Sequence, residues 1–243
     1  MLLKGKVVLV TGGANGIGRT ICKRFCSEGA QLIICDIDRD GGAQLALDLS
    51  AEGSGTARFL YGDMSRLNDI EELAAKACAL FGRIDVLVNN AGVCNTLSID
   101  ELTMEQWDHT HDINLKALFL LSRAVLRMMK SQCGGNIINM GSMAGQNGGV
   151  SVGADYSTSK AGVLNLTRTF AKAGAPDVRV NALSPGLILT PMTQSMDVSN
   201  RNIPLNRGGT PEEVAGPALF LASDMSGYMT GAHVDINGGF IML

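Results

Sequence analysis

Residues 6–18 read KVVLVTGGANGIG, and this stretch decides the fold. The run Val7–Val10 is apolar throughout, which is typical of a strand buried on both faces of a parallel sheet. In the loop that follows, Gly12 permits a tight turn, Gly16 lets the backbone approach a pyrophosphate, and Gly18 lets a helix pack against the strand. A glycine-rich loop alone can be a purely structural turn. Its place between a predicted strand and a predicted helix favours phosphate binding at the helix N-terminus.

Short β-branched segments alternate with longer segments of helical period along the whole chain. The predicted strands are Lys6–Val10, Gln31–Cys35, Ala57–Tyr61, Val86–Asn89, Asn136–Met140, Arg179–Leu183 and His233–Ile236. The predicted helices are Gly18–Ser27, Gly42–Ala51, Asn68–Leu80, Met104–Lys130, Tyr156–Ala173 and Pro211–Ala222, with Ser65, Thr103 and Thr210 as N-caps. This alternation is typical of repeated βαβ units. We therefore predict an α/β fold in which residues 1–243 form a single doubly wound Rossmann domain, a seven-stranded parallel sheet with helices on both faces.

Composition and charge exclude several classes of protein. The 243 residues are 46% hydrophobic and carry a net charge of −3 without any block of like charges, which argues against nucleic acid or an anionic membrane as a partner. No apolar run approaches the roughly 18 residues that span a bilayer. The first apolar run is interrupted at Thr11–Gly13, so we expect no signal peptide and a cytoplasmic location. The six cysteines contain no CxxC pair and the three histidines lack ligand spacing, so we expect neither a metal site nor a disulfide.

Asp36 ends the second predicted strand, 18 residues after Gly18. A carboxylate at about this distance accepts hydrogen bonds from the ribose hydroxyls of an adenine dinucleotide, and its charge would repel a 2′-phosphate. Neither Asn15 nor Ile37 offers a positive charge to such a phosphate. The alternative interpretation is a solvated Asp that caps the next helix. We predict NAD as the cofactor.

Seven short motifs follow one another in a recognisable order. They are TGGANGIG at Thr11–Gly18, Asp63, NNAG at Asn89–Gly92, Asn114, Ser142, YSTSK at Tyr156–Lys160, and Pro185-Gly186 followed by Thr190. With these motifs the chain resembles the short-chain dehydrogenase/reductase family over essentially its whole length. The resemblance implies that Asp63 and Met64 contact the adenine ring and that Pro185–Thr190 hold the nicotinamide end. The complete predicted cofactor set is Gly12, Asn15, Gly16, Ile17, Gly18, Asp36, Asp63, Met64, Asn90, Ala91, Gly92, Tyr156, Lys160, Pro185, Gly186 and Thr190.

The predicted catalytic residues are Asn114, Ser142, Tyr156 and Lys160. Tyr156 and Lys160 are four residues apart on a predicted helix, so their side chains share a face. Two charges about 4 Å apart at an effective dielectric near 20 interact by about 4 kcal/mol. We therefore expect the lysine and the cationic nicotinamide ring to lower the pKa of Tyr156 by roughly two or three units, into the range of a general acid–base.

Two further polar residues accompany this pair. Ser142 follows a predicted strand and could hold the substrate oxygen, although it could also be an ordinary turn serine. Asn114 interrupts a helical pattern in which asparagine is unfavourable. The resemblance implies that it holds a water that links Lys160 to solvent. The alternative is a tolerated helix asparagine.

We predict an NAD-dependent oxidoreductase that transfers hydride between the cofactor and a secondary alcohol or ketone, such as a small alcohol, a polyol or a ring alcohol. One alternative is a 3-oxoacyl thioester reductase, against which Asp36 counts. A non-enzyme alternative is an NAD(H)-sensing binding protein, which would not need the proton-transfer residues. Candidate substrate-lining residues are Cys94, Gln146, Asn147, Leu187, Met192 and Met196.

The resemblance also implies a homotetramer. Such an assembly would form through the two longest predicted helices, Met104–Lys130 and Tyr156–Ala173. The C-terminal segment Phe240–Leu243 is strongly apolar, so we expect it to be buried at a subunit contact.

Overall fold

The computed structural model describes residues 1–149, 151–193 and 202–242. One sheet of seven strands lies at its centre, and all neighbouring strands pair in parallel, in the order β3-β2-β1-β4-β5-β6-β7. The strands are β1 Val7–Thr11, β2 Gln31–Asp36, β3 Thr56–Tyr61, β4 Val86–Asn89, β5 Gly135–Met140, β6 Val178–Pro185 and β7 His233–Ile236. The predicted seven-stranded parallel sheet is confirmed.

Eight α-helices connect these strands within the described residues. They are α1 Gly16–Ser27, α2 Arg39–Ala51, α3 Ile70–Phe81, α4 Met104–His111, α5 Ala117–Ser131, α6 Ala144–Asn147, α7 Ala154–Gly174 and α8 Pro211–Ala222. In the described part of the chain, no helix combines the length and the apolarity that a membrane crossing would require.

The alternating side chains of β1 explain why its whole sequence is apolar. Val8 and Val10 belong to one hydrophobic cluster, which also contains buried side chains of α1, α2 and α8. Val7 and Leu9 belong to a second cluster on the opposite face, with side chains of α3, α5 and α7. Both faces of the strand are therefore covered, as the sequence pattern predicts.

Predicted and observed helix ends differ by up to three residues, and two further departures have a local physical cause. The predicted helix Met104–Lys130 is divided, because a π-helical turn at Asp112–Lys116 separates α4 from α5. Ser65 is not an N-cap: its N–H and hydroxyl both donate to Asp63, at 2.9 and 2.7 Å, and α3 begins only at Ile70 after a 3₁₀ turn. The local Asx-type turn satisfies Ser65 before the helix begins.

Two predicted caps agree with the structure. Gln106 N–H donates to the hydroxyl of Thr103 at 3.3 Å, and the Thr103 N–H donates to the Gln106 side chain at 3.0 Å. Thr210 precedes α8, and its N–H donates to Glu213 at 2.9 Å. Each reciprocal pair satisfies backbone donors that a helix start leaves free.

The strand order reverses between β1 and β4. From β1 the chain first runs outward through β2 and β3, and it then returns to the other side of β1 as β4. In open parallel sheets, ligands bind in the crevice outside the carboxyl ends of the strands at such a reversal. The glycine loop follows β1 and the Asn89–Gly92 motif follows β4, so the fold brings them together.

Candidate active site

A cleft of about 370 Å³ opens at this edge of the sheet. It collects almost every residue of the predicted cofactor and catalytic sets. Its lining includes Gly12, Asn15, Gly16, Ile17, Asp36, Asp63, Met64, Asn90, Ala91, Gly92, Ser142, Tyr156, Lys160, Pro185, Gly186 and Thr190. Gly18 and Asn114 are buried and do not form part of this lining.

The glycine loop is shaped for close approach of a ligand to the backbone. Gly12 and Gly16 have φ angles of +62° and +53°, which residues other than glycine rarely adopt. A Cβ on Gly18 would collide with the carbonyl of Gly12, so glycine is required where α1 packs against the loop. Asn15 occupies the N-cap position but its side chain does not cap α1. Its amide instead donates to Asp38 at 3.1 Å, and the positive end of the α1 dipole faces the cleft.

Asp36 lies where β2 meets the cleft. One carboxylate oxygen accepts from the N–H of Ala14 at 2.9 Å, and the other accepts from the N–H of Asp38 at 3.0 Å. Each oxygen keeps a second lone pair for a ligand hydroxyl. The helix-capping interpretation of Asp36 is wrong, because Asp38 caps α2 by accepting from Gly41 at 2.9 Å.

The sequence analysis did not identify two arginines near the end of the cleft that contains Asp36. Arg19 lies one turn into α1 and donates to the carbonyl of Ala14 at 3.3 Å. Arg39 begins α2, with its guanidinium carbon 3.6 Å from the centre of the Tyr61 ring. Both side chains are engaged by the protein itself. The helical period could have revealed Arg19, since it is on the first turn that follows the glycine loop.

Lys160 is buried against the end of β5. Its ammonium donates to the carbonyl of Met140 at 2.8 Å and lies 5.7 Å from the centre of the Tyr156 ring. Burial lowers the pKa of Lys160 to about 8, because a low-dielectric environment disfavours the charged amine.

The pKa of Tyr156 departs from the sequence expectation. Although part of the side chain is exposed at the cleft, burial raises its pKa to about 12, against the lowering effect of a hydrogen bond with the Ser142 side chain. The groups of the chain alone therefore favour the neutral phenol. Lys160 does not lower the pKa of Tyr156 as expected, because its ammonium donates to the carbonyl of Met140 and its charged form is disfavoured by burial.

Ser142 and Asn114 are each held by backbone groups. The Ser142 hydroxyl accepts from the N–H of Ala144 at 3.1 Å, which keeps it at the start of α6. Asn114 accepts from the N–H of Val93 at 2.8 Å and donates to the carbonyl of Val93 at 2.9 Å. It also donates to the Ser159 hydroxyl at 3.1 Å. The Asn114 side chain thus joins the π-helical turn to α7 and to the segment after β4.

The predicted substrate-lining residues are only partly brought together. Met192 lines the cleft, whereas Leu187 lines a separate cavity. Gln146 donates to Asp235 at 2.5 Å, and Met196 lies outside the described residues. The cleft also contains Cys35 and Gly62, which the sequence analysis missed. Their places at the carboxyl ends of β2 and β3 are the signal that could have identified them.

Known proteins resemble the chain over its full length. A family model described as Enoyl-(Acyl carrier protein) reductase matches residues 12–241. The 3-oxoacyl-(acyl-carrier-protein) reductase of Thermotoga maritima is 40% identical over 249 residues, with 100% of both chains covered. The chain belongs to the short-chain dehydrogenase/reductase family. As a member of this family it is an oxidoreductase that acts on CH–OH groups.

Other short-chain dehydrogenases/reductases illustrate the variety of substrates among its relatives. The D-threitol dehydrogenase of Mycolicibacterium smegmatis is 36% identical over 249 residues, which cover 98% of this chain and 94% of the relative. A solved structure from Beutenbergia cavernae, provisionally assigned as an NAD(P)-dependent gluconate 5-dehydrogenase, matches with a TM-score of 0.92 and 34% identity. That match covers 98% of this chain and 97% of the other, which holds NADP at low occupancy.

Proposed function

We propose that this enzyme transfers hydride between NAD(H) and a small secondary alcohol or ketone, with Tyr156 as the general acid–base. The observation that supports this most directly is the joint placement of Ser142, Tyr156 and Lys160 on one cleft, whose other end carries the glycine loop and Asp36. A dinucleotide is long enough to reach from one end to the other, with its pyrophosphate at the N-terminus of α1.

Each side chain has a defined task in this proposal. Ser142 holds the substrate oxygen beside the hydroxyl of Tyr156, with which it already interacts. Tyr156 donates its phenolic proton to that oxygen during ketone reduction and removes the proton during alcohol oxidation. When bound, the cofactor supplies hydride chemistry and, in its oxidised form, a positive charge near the phenol. Because burial raises the pKa of Tyr156 to about 12, alcohol oxidation depends on that added charge more than ketone reduction does.

Lys160 and Asn114 act around the phenol. We assign Lys160 to the nicotinamide ribose and to the electrostatic environment of Tyr156, from its buried position on the next turn of α7. We assign Asn114 to a proton path from Lys160 toward solvent. A Cβ on Gly92 would lie 3.1 Å from the Asn114 oxygen and 3.6 Å from the Lys160 ammonium nitrogen. Polar groups of Asn114 and Lys160 therefore border the space beside Gly92.

NAD rather than NADP is the cofactor in this proposal. Asp36 retains free lone pairs toward the cleft, and Asp38 adds a second acidic group 3.1 Å from Asn15. A 2′-phosphate would meet both charges. Arg39, the nearest cation along the chain, is stacked on Tyr61.

A small alcohol or polyol is the substrate class that we favour, in line with the threitol-oxidising relative. The 40% identical reductase from Thermotoga maritima supports 3-oxoacyl thioester reduction as the second candidate. A panel of polyols, cyclic alcohols, simple ketones and a 3-oxoacyl thioester, followed by NADH absorbance, separates the two candidates.

The test of the mechanism is Tyr156→Phe, which removes one hydroxyl and keeps the ring. We expect a loss of about 100-fold or more in turnover, since positioned proton transfer contributes about 10²–10⁴. The NADH dissociation constant, measured by fluorescence titration, should remain within about twofold of the wild-type value, because the glycine loop and Asp36 are unchanged.

A matched control is Tyr228→Phe, since Tyr228 is fully exposed and lies outside the cleft. It should leave the turnover and the NADH dissociation constant unchanged. Retention of most of the turnover by Tyr156→Phe would disprove the assignment. An NAD(H) sensor would show NADH binding with no turnover of any compound in the panel by the wild type.

A further inference from the structure

Asp155 is a fully buried carboxylate that immediately precedes Tyr156 in α7. One of its oxygens accepts two short hydrogen bonds, from the amide of Asn95 at 2.5 Å and from the hydroxyl of Thr110 at 2.5 Å. Asn95 belongs to the segment after β4, and Thr110 lies on α4. Asp155 therefore ties two separate segments to the first turn of the helix that carries Tyr156.

The segment after β4 is attached to α7 at two points. The carbonyl of Asn95 accepts from the N–H of Gly153 at 2.9 Å, beside its side-chain bond to Asp155. Two residues earlier, both backbone polar groups of Val93 bind Asn114, which in turn reaches Ser159 of α7. The residue held between these two attachments is Cys94.

Val93, in this same segment, lines the cleft together with Tyr156 and Lys160. Its neighbour Cys94 donates through its thiol to the carbonyl of Asn95 at 3.5 Å. The thiol is half-buried, and burial raises its own pKa to about 11, so it is a neutral group at physiological pH. A displacement of this segment would move Val93 in the cleft that Tyr156 also lines, and it would expose the thiol of Cys94.

We propose that Asp155 is a positioning residue that holds the segment Val93–Asn95, and with it the cleft-lining Val93, as one wall of the substrate site beside Tyr156. This inference rests on the proposed role of Tyr156. It adds a determinant of substrate binding that acts through Val93 and leaves the glycine loop and Asp36 untouched. An ordered wall matters because a misplacement of about 1 Å near the reacting atoms can cost about 100-fold in rate.

The second oxygen of Asp155 allows the contribution of geometry to be tested separately from that of charge. That oxygen is buried and has no hydrogen-bond partner among the described residues. A Cβ on Gly153 would collide with this oxygen and with the side-chain oxygen of Asn95, so the two oxygens lie close together. In Asp155→Asn, one oxygen would still accept both bonds, and the new amide N–H₂ would face the Asn95 oxygen.

The decisive variant is Asp155→Ala, which removes the acceptor of both bonds. We expect the KM for the best substrate of the panel to rise about tenfold or more, with a smaller fall in kcat and an NADH dissociation constant within about twofold of wild type. Alkylation of Cys94 by iodoacetamide, followed by peptide mass spectrometry, should be at least about fivefold faster, because the segment is released. This second readout does not depend on turnover, so failure of the proposed function would not obscure it.

Three further variants make the result specific. Asp155→Asn should recover most of the wild-type KM and the slow alkylation of Cys94. Asn95→Ala removes the hydrogen bond between Asn95 and Asp155 by changing the half-buried partner, and it leaves the buried hydrogen bond between Asp155 and Thr110 intact. It should raise the KM and speed the alkylation of Cys94 as Asp155→Ala does. Asp108→Ala, on an exposed position of α4, is the control and should match wild type. Unchanged KM and alkylation in folded Asp155→Ala or Asn95→Ala would overturn the proposal, as would an Asp155→Asn as defective as Asp155→Ala.

Discussion

At the scale of single residues, Lys160 carries a charge that the folded chain disfavours. Burial lowers its pKa from 10.5 to about 8. Between these two values the unfolded chain binds more protons than the folded chain, so this group makes stability rise with pH from about 8 to 10.5. Below pH 8 both states are protonated, and the full cost of the buried charge is present. Sites that work through perturbed groups commonly carry such a cost.

We predict that Lys160→Met increases the free energy of unfolding at pH 7 by about 2 kcal/mol. The gain is the avoided cost of a buried ammonium, reduced by the lost hydrogen bond to Met140. Urea denaturation at pH 7 and pH 9.5 measures it, and the gain should be smaller at pH 9.5. Lys172→Met, on an exposed position of the same helix, should change little. A less stable Lys160→Met at pH 7 would show that the buried ammonium stabilises the fold.

Cofactor choice is also decided by one residue in our proposal. We predict that the wild type prefers NAD over NADP by about 100-fold or more in kcat/KM, because hydrogen bonds to a charged group contribute about 1.5–3 kcal/mol and repulsion adds to this. Asp36→Ala should reduce the ratio of kcat/KM with NAD to kcat/KM with NADP by at least about tenfold, chiefly by weakening NAD binding. The measurement pairs kcat/KM with fluorescence titrations of NADH and NADPH. Asp40→Ala, exposed on α2, is the control, and equal wild-type values for both cofactors would refute the assignment of Asp36.

At the scale of elements, the pattern Met104–Lys130 looks like one helix but forms two helices and a π-helical turn. The apolar period continues through the turn, so the pattern contains no stop signal. Asn114 is the local anomaly, since asparagine disfavours a helix interior. The turn places its side chain between Val93 and Ser159. Widened turns of this kind frequently occur at functional sites, and here the long-range hydrogen bonds give a physical reason for the distortion.

At the scale of the whole molecule, we predict a homotetramer that associates through α4, α5 and α7. Met104 and Phe119 are exposed apolar side chains on two of these helices, at 69% and 38%. Met242, at 79% exposed, belongs to the apolar C-terminal segment that we expect at another contact. Light scattering after size exclusion at micromolar concentration should give four times the 25.5 kDa mass of the chain. A 25.5 kDa species would contradict the prediction, and Met242→Asp should weaken the assembly.

The sequence by itself determined the order and type of the elements, the glycine loop and the placement of Asp36, Tyr156 and Lys160. These features depend on local apolar period, on glycine at positive φ and on spacing along one helix, all of which are readable without a fold. Only the tertiary structure decided the raised pKa of Tyr156, the engagement of Arg19 and the contacts of Asp155. Burial and partners such as Asn95, 60 residues away from Asp155, arise when distant segments pack. No local pattern encodes that packing.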